Sequence, residues 1–213
     1  MTPTQQSDAA LDLCRLAPVI PVIVIDDLAH ARPLAEALVA GGLPVLEVTL
    51  RTDCALDAIA AMAEVPGAVA GAGTVLTAAH MKAAKEAGAR FAVSPGATPA
   101  LIDAARVEEV PLLPGAQTCS EVMALLEQGY HVQKFFPAES IGGAGALKSI
   151  GGPLPQVTFC PTGGITPELA PRYLALANVA CVGGSWVAPK ALMQAGEWAQ
   201  ITELARAAAG LPR

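Results

Sequence analysis

Residues 18–50 read PVIPVIVIDDLAHARPLAEALVAGGLPVLEVTL, and this stretch decides the fold. Two apolar runs, VIPVIVI at Val19–Ile25 and VLEVTL at Val45–Leu50, enclose a helical pattern. Asp26 or Asp27 supplies its N-cap and Gly41-Gly42 its stop. Near-continuous apolar strands joined through a helix are the mark of a parallel sheet covered by helices on its faces.

The same unit recurs along the chain. Further strands are expected at Ala68–Thr74, Phe91–Ser94, Pro111–Gly115, His131–Phe136, Val157–Thr162 and Val179–Gly184. Helices are expected between them: Asp53–Ala63, Thr77–Ala87 stopped by Gly88, one opened by Thr98-Pro99, one opened by a Thr118-x-x-Glu121 capping box, one near Gly145–Ile150 and one opened by Thr166-Pro167. A short helix near Ala9–Leu16 precedes the first strand, and a helix at Glu197–Ala209 closes the chain. Eight evenly spaced strands predict an α/β fold of the (β/α)8 TIM-barrel type with an extra N-terminal helix, as one domain over residues 1–213. The alternative is an open doubly wound sheet; the first strand lacks the G-x-G-x-x-G that a dinucleotide-binding sheet would want. The chain is short for a barrel, so the loops must be short.

Composition narrows the function. The 213 residues are 53% hydrophobic and 15% charged, with a formal net charge of −6. A chain of this length buries roughly 70% of its unfolded surface and needs no disulfide or metal staple. The acidic balance argues against nucleic acid and anionic membrane as partners. No apolar run approaches the ~20 residues of a spanning helix, and the start MTPTQQSDAALDLCRL lacks the basic leader of a signal peptide. The five cysteines, Cys14, Cys54, Cys119, Cys160 and Cys181, form no C-x-x-C pair. They are expected to be buried small hydrophobes without a thiolate cluster, in a reducing compartment, the cytoplasm. His30, His80 and His131 are scattered, so no metal site is expected.

In a barrel, chemistry sits at the C-terminal strand ends. On the second strand, period-two alternation places Val45, Glu47, Thr49 and Arg51 on one face and Leu46, Val48 and Leu50 on the other. The apolar set suits the helix layer, so the polar set points into the barrel. Burying Glu47 and Arg51 is costly unless they are paired or used; an ion pair that only fills the barrel is the alternative. Of the five lysines, only Lys134 lies within an apolar strand, HVQKFF. Loss of hydration there disfavours the ammonium and favours a free amine able to attack a ketone; the alternative is a lysine snorkelling at a strand edge. Thr162-Gly163-Gly164 and Gly183-Gly184-Ser185 follow the seventh and eighth strands, where barrels bind phosphate through backbone N–H groups. The glycine-rich third strand ends at Thr74.

Together, EVTLR (Glu47–Arg51), GAGT (Gly71–Thr74), SPG (Ser94–Gly96), KFFPA (Lys134–Ala138), CPTGGI (Cys160–Ile165) and GGSW (Gly183–Trp186) resemble one family. It is that of 2-keto-3-deoxy-6-phosphogluconate (KDPG) aldolase, often also 4-hydroxy-2-oxoglutarate aldolase. The resemblance runs from Pro18 to the C-terminal helix. It implies a metal- and cofactor-independent class I aldolase, a carbon–carbon lyase of the Entner–Doudoroff pathway, assembled as a homotrimer. It implies Lys134 as the imine-forming lysine and Glu47 as the acid/base. Arg51 and Thr74 would hold the pyruvyl carboxylate, with Pro95 and Phe136 lining the pocket. Thr162, Gly163, Gly164, Gly184 and Ser185 would bind the distal phosphate end. An aldolase for the galactonate epimer and a non-catalytic phosphosugar-binding barrel remain as alternatives.

Overall fold

The computed structural model describes all residues, Met1–Arg213. The first helix, α1 (Pro3–Arg15), is longer than expected because Thr2 and Gln5 form a capping box ahead of Pro3. The succession is then β1 (Val19–Ile23), α2 (Ala31–Ala40), β2 (Val45–Thr49), α3 (Ala55–Ala63), β3 (Val69–Gly73), α4 (Ala78–Glu86), β4 (Ala92–Val93) and α5 (Pro99–Glu108). The second half runs β5 (Leu112–Leu113), β6 (Gly115–Ala116), α6 (Cys119–Glu127), β7 (Val132–Phe135), α7 (Gly143–Gly151), β8 (Thr158–Pro161), α8 (Ala170–Leu174), β9 (Val182–Gly184), α9 (Lys190–Ala195) and α10 (Trp198–Ala209).

All strand pairs are parallel and lie in two curled sheets, ordered β5-β4-β3-β2-β1-β9 and β6-β7-β8. The single expected strand at 111–115 is therefore two pieces. Pro114 divides them: it has no N–H for a ladder, yet its carbonyl accepts from Lys134 N–H at 2.8 Å. The chain thus leaves one sheet at Leu113 and enters the other at Gly115. On the far side, isolated bridges Phe159↔Val179 and Thr162↔Gly183 link β8 to the segment around β9. Half of the expected eighth strand lies outside the ladder, which keeps only Val182–Gly184.

Two helical expectations need correction. The helix expected to open at Thr166-Pro167 starts at Ala170: Ala170 N–H bonds the Thr166 carbonyl at 3.0 Å, but Pro171 has no N–H to continue the ladder, and the Thr166 hydroxyl bonds the Glu168 carboxylate at 2.6 Å. Lys190–Ala195 forms a helix the sequence reading left as loop. The capping signals elsewhere hold: Asp27 caps the 3-10 turn leading into α2, Thr98 caps α5, and Thr118 with Glu121 makes a reciprocal box on α6.

The core has two layers. The larger one packs outward strand residues such as Leu46 and Val48 against the helices. The smaller one lies inside the curled sheets, where Ile20, Val45, Phe91, Val93, Leu113 and Val132 meet Ala10 and Cys14 of α1. The first helix thus closes the floor. Its buried Gln6 accepts from the Tyr130 hydroxyl at 2.8 Å, and its buried Ser7 hydroxyl accepts from Val132 N–H at 2.8 Å. No helix is long and apolar enough to cross a membrane.

Candidate active site

Above that floor, β2 and β7 each send one charged side chain inward. Glu47 is 3% exposed and Lys134 5%, and Lys134 Nζ lies 3.1 Å from Glu47 Oε1. The alternation in VLEVTL places Glu47 inside, as expected. Glu47 fits because β3 runs alongside with a glycine: a Cβ at Gly73 would collide with the Glu47 carboxyl group. The glycines of the third strand therefore make room for neighbours rather than present their own backbone. Gly71 does the same for the Phe91 ring.

A cavity of about 260 Å³ opens over Lys134, with Glu47 behind that lysine rather than in the cavity wall. Its wall includes Arg51, Phe136, Thr162, Gly163, Gly164 and Ser185. The Phe136 ring centroid is 5.3 Å from Lys134 Nζ, within cation–π range. Arg51, exposed at the end of β2, donates from Nε to Thr74 Oγ1 at 3.2 Å. Thr74 holds a left-handed backbone at φ 59°, uncommon for a β-branched residue and typical of functional positions. The Thr162 hydroxyl is buried beside this wall with no hydrogen-bond partner among the protein's groups. Gly163 and Gly164, at φ 107° and 75°, turn the chain as only glycine does easily.

Two residues assigned to this pocket stand elsewhere. Pro95 lines a neighbouring cavity of about 430 Å³ with Gly96, Gly115 and Gln117, between α5 and α6. Gly184 packs against the Trp186 ring, and its neighbours Gly183 and Ser185 line the cavity instead. The sequence reading missed Val22 and Val24, which also line it. The alternation Ile20, Val22, Val24 in VIPVIVI carried that signal.

The cysteines depart most from expectation. Cys119 is exposed and Cys54 half-buried, but Cys14, Cys160 and Cys181 are buried with their sulfurs all within 4.8 Å of one another. Register explains this: Cys160 is the ladder partner of Lys134, Cys181 lies on the next strand segment, and α1 brings Cys14 beneath both. Hydrogen bonds from Cys14 and then Cys181 hold the Cys160 thiol well below its usual range, with the Lys134 charge acting in the same sense. The contact with Cys160 pushes Cys14 up against a lowering contact from Cys181, and contacts with Cys14 and Cys160 push Cys181 up. His131 sits 3.2 Å from Asp8 of α1.

The model for the KDPG and KHG aldolase family matches residues 11–204. The chain belongs to that family. It is 53% identical to the KHG/KDPG aldolase of Escherichia coli over 94% of each chain. The KDPG aldolase of Zymomonas mobilis, solved with 3-phosphoglycerate, superposes with a TM-score of 0.91 at 55% identity, covering 95% of this chain and 96% of that one. The Legionella pneumophila KDPG aldolase, solved with pyruvate captured as a covalent carbinolamine, superposes at 0.91 with 49% identity, covering 94% and 98%. Membership makes the chain an aldolase of the lyase class.

Proposed function

We propose that the chain cleaves KDPG to pyruvate and glyceraldehyde 3-phosphate, and 4-hydroxy-2-oxoglutarate to pyruvate and glyoxylate, through an imine on Lys134. The observation that carries this reading is the buried Lys134–Glu47 contact at 3.1 Å beneath an open cavity. A protein that only bound a phosphosugar would need neither group there. The names of the relatives and the carbinolamine of the Legionella protein support it.

In this reading Lys134 passes a proton to Glu47 within the pair, which leaves a neutral amine without separating buried charge. The amine adds to the C2 ketone, Glu47 returns its proton to the carbinolamine hydroxyl, and loss of water gives a protonated imine beside the restored Glu47 carboxylate. Glu47, as carboxylate, takes the C4 hydroxyl proton. The C3–C4 electron pair moves into the iminium, the aldehyde leaves, and an enamine remains. Protonation at C3 and hydrolysis release pyruvate and restore Lys134. Arg51 clamps the substrate carboxylate while holding Thr74, which aims the ketone at Lys134. Phe136 lines the pyruvyl end, and Pro95 bounds it from the adjoining cavity. Thr162, Gly163, Gly164 and Ser185 receive the distal hydroxyl and phosphate, and Gly184 leaves the space that seats Trp186 behind them.

The wider reading has three parts. Pro114 and the two isolated bridges support treating both sheets as one (β/α)8 barrel. The whole chain, 1–213, acts as a single domain. By family resemblance it works as a homotrimer in the cytoplasm.

Incubation with pyruvate and borohydride tests the chemistry. One reduced adduct is expected on Lys134, formed equally well in EDTA and absent in Lys134→Ala. Labelling at Lys148, or loss in EDTA restored by a divalent ion, overturns the assignment.

A further inference from the structure

We propose that Cys14, Cys160 and Cys181 form a binding site for a soft monovalent cation, Cu(I), on the floor beneath Lys134. Three separate elements, α1, β8 and the segment entering β9, converge their sulfurs to within 4.8 Å. Three ligands at a metal–thiolate distance of about 2.3 Å in a plane stand about 4.0 Å apart. The Cys181–Cys160 separation is 3.5 Å and the other pairs lie within 4.8 Å, so each separation reaches that geometry by a change of less than about 1 Å.

The donor set selects the ion. All three ligands are sulfur, and no imidazole or carboxylate joins the group. Hard cations want oxygen, and soft thiolate sites take Cu(I) or zinc. Structural zinc closes a tetrahedron with a fourth ligand. Here the surroundings include Ala10, Ile20, Val45 and Val132, and no carboxylate or imidazole joins the three sulfurs as a fourth ligand. A three-coordinate d10 ion fits this environment. Binding leaves copper in its Cu(I) state; each thiol that becomes a thiolate ligand releases one proton, so affinity rises with pH. Because Cys14 belongs to α1, the bound ion ties that helix to the sheets and stabilises the fold.

The test titrates the full-length chain anaerobically with Cu(I) against a chromophoric Cu(I) chelator. One Cu(I) per chain is expected, with the melting temperature raised by about 5–10 °C when free ion is held about 100-fold above Kd. Cys54→Ser with Cys119→Ser keeps both effects. Cys14→Ala weakens binding at least about 100-fold, since even an outer partner costs about 10–100-fold, while pyruvate release shows that the chain remains folded. Cys181→Ala, on a different element, repeats the measurement if Cys14→Ala does not fold. Binding unchanged in a folded Cys14→Ala or Cys181→Ala chain, binding lost with the Cys54 and Cys119 pair, or no stoichiometric uptake overturns the proposal.

Discussion

At the residue scale, the site depends on side chains that leave space as much as on those that react. Gly73 is the clearest case, because any Cβ there meets the Glu47 carboxyl. Gly73→Ala is expected to displace Glu47 from Lys134. A misplacement of about 1 Å can cost about 100-fold, so kcat/KM should fall by that order. Lys134 should still give some borohydride-trapped pyruvate. Wild-type turnover in this variant would show that the Lys134–Glu47 distance does not matter. Ser185 allows a second test, since its exposed hydroxyl lines the distal part of the cavity. Losing a hydrogen bond to a charged phosphate costs about 1.5–3 kcal/mol, or roughly 10–150-fold. Ser185→Ala should weaken KDPG cleavage by that order and leave 4-hydroxy-2-oxoglutarate cleavage nearly unchanged. Equal losses on both substrates would mean that this loop supports the fold and does not read phosphate.

At the element scale, α6 is held at its start by reciprocal bonds. Glu121 Oε2 accepts from Gln117 N–H at 2.8 Å, Thr118 N–H at 2.9 Å and the Thr118 hydroxyl at 3.0 Å. Partial burial works to raise the Glu121 carboxyl, but these donors outweigh it and hold it below the usual value of 4.5. A carboxyl lowered by folding stabilises the native state fully above its unfolded value, and that contribution is lost as pH falls through the folded value. Glu121→Gln should therefore reduce stability at neutral pH, and its difference from wild type should shrink as pH drops below about 4.5. Thr118→Ala removes the cap itself, and about 1 kcal/mol of stability should go with it, a fall of about 2–4 °C in Tm. Melting curves between neutral and acid pH measure both. A Glu121→Gln deficit that grows on acidification would contradict the capping account. By contrast, α8 starts late because Pro171 has no N–H to extend the turn that Ala170 N–H makes with the Thr166 carbonyl.

At the scale of the whole molecule, α1 closes one end of the curled sheets and the candidate site opens at the other. Gln6, Ser7 and Cys14 are all buried against the floor, which gives a helix of low apolar content a fixed seat. The homotrimer implied by family resemblance should appear in sedimentation equilibrium as a species of three times 21.5 kDa. A monomer across the micromolar range would remove that part of the proposal.

The sequence by itself determined what depends on neighbours a few residues apart. Period-two alternation turned Glu47 inward and Leu46 and Val48 outward, and side chains reaching N–H groups three residues on set the starts of α5 and α6. The placement of Lys134 in an apolar strand singled it out from the other lysines, and the glycine turns after β8 stood where the cavity wall runs. Only the tertiary structure decided what depends on register between distant segments. Lys134 meets Glu47 across 87 residues of chain, and Cys160 meets Cys181 across 21. Pro114 divides a strand because it has no N–H for a ladder, and its carbonyl accepts from Lys134 of the other sheet, a partner 20 residues away along the chain. Pro95 and Gly184 fall outside the cavity wall because each packs elsewhere, Pro95 against Gly115 and Gly184, the last residue of β9, against the Trp186 ring. The three-cysteine cluster is the extreme case, since its members share no spacing and meet only once α1 docks beneath two parallel strands.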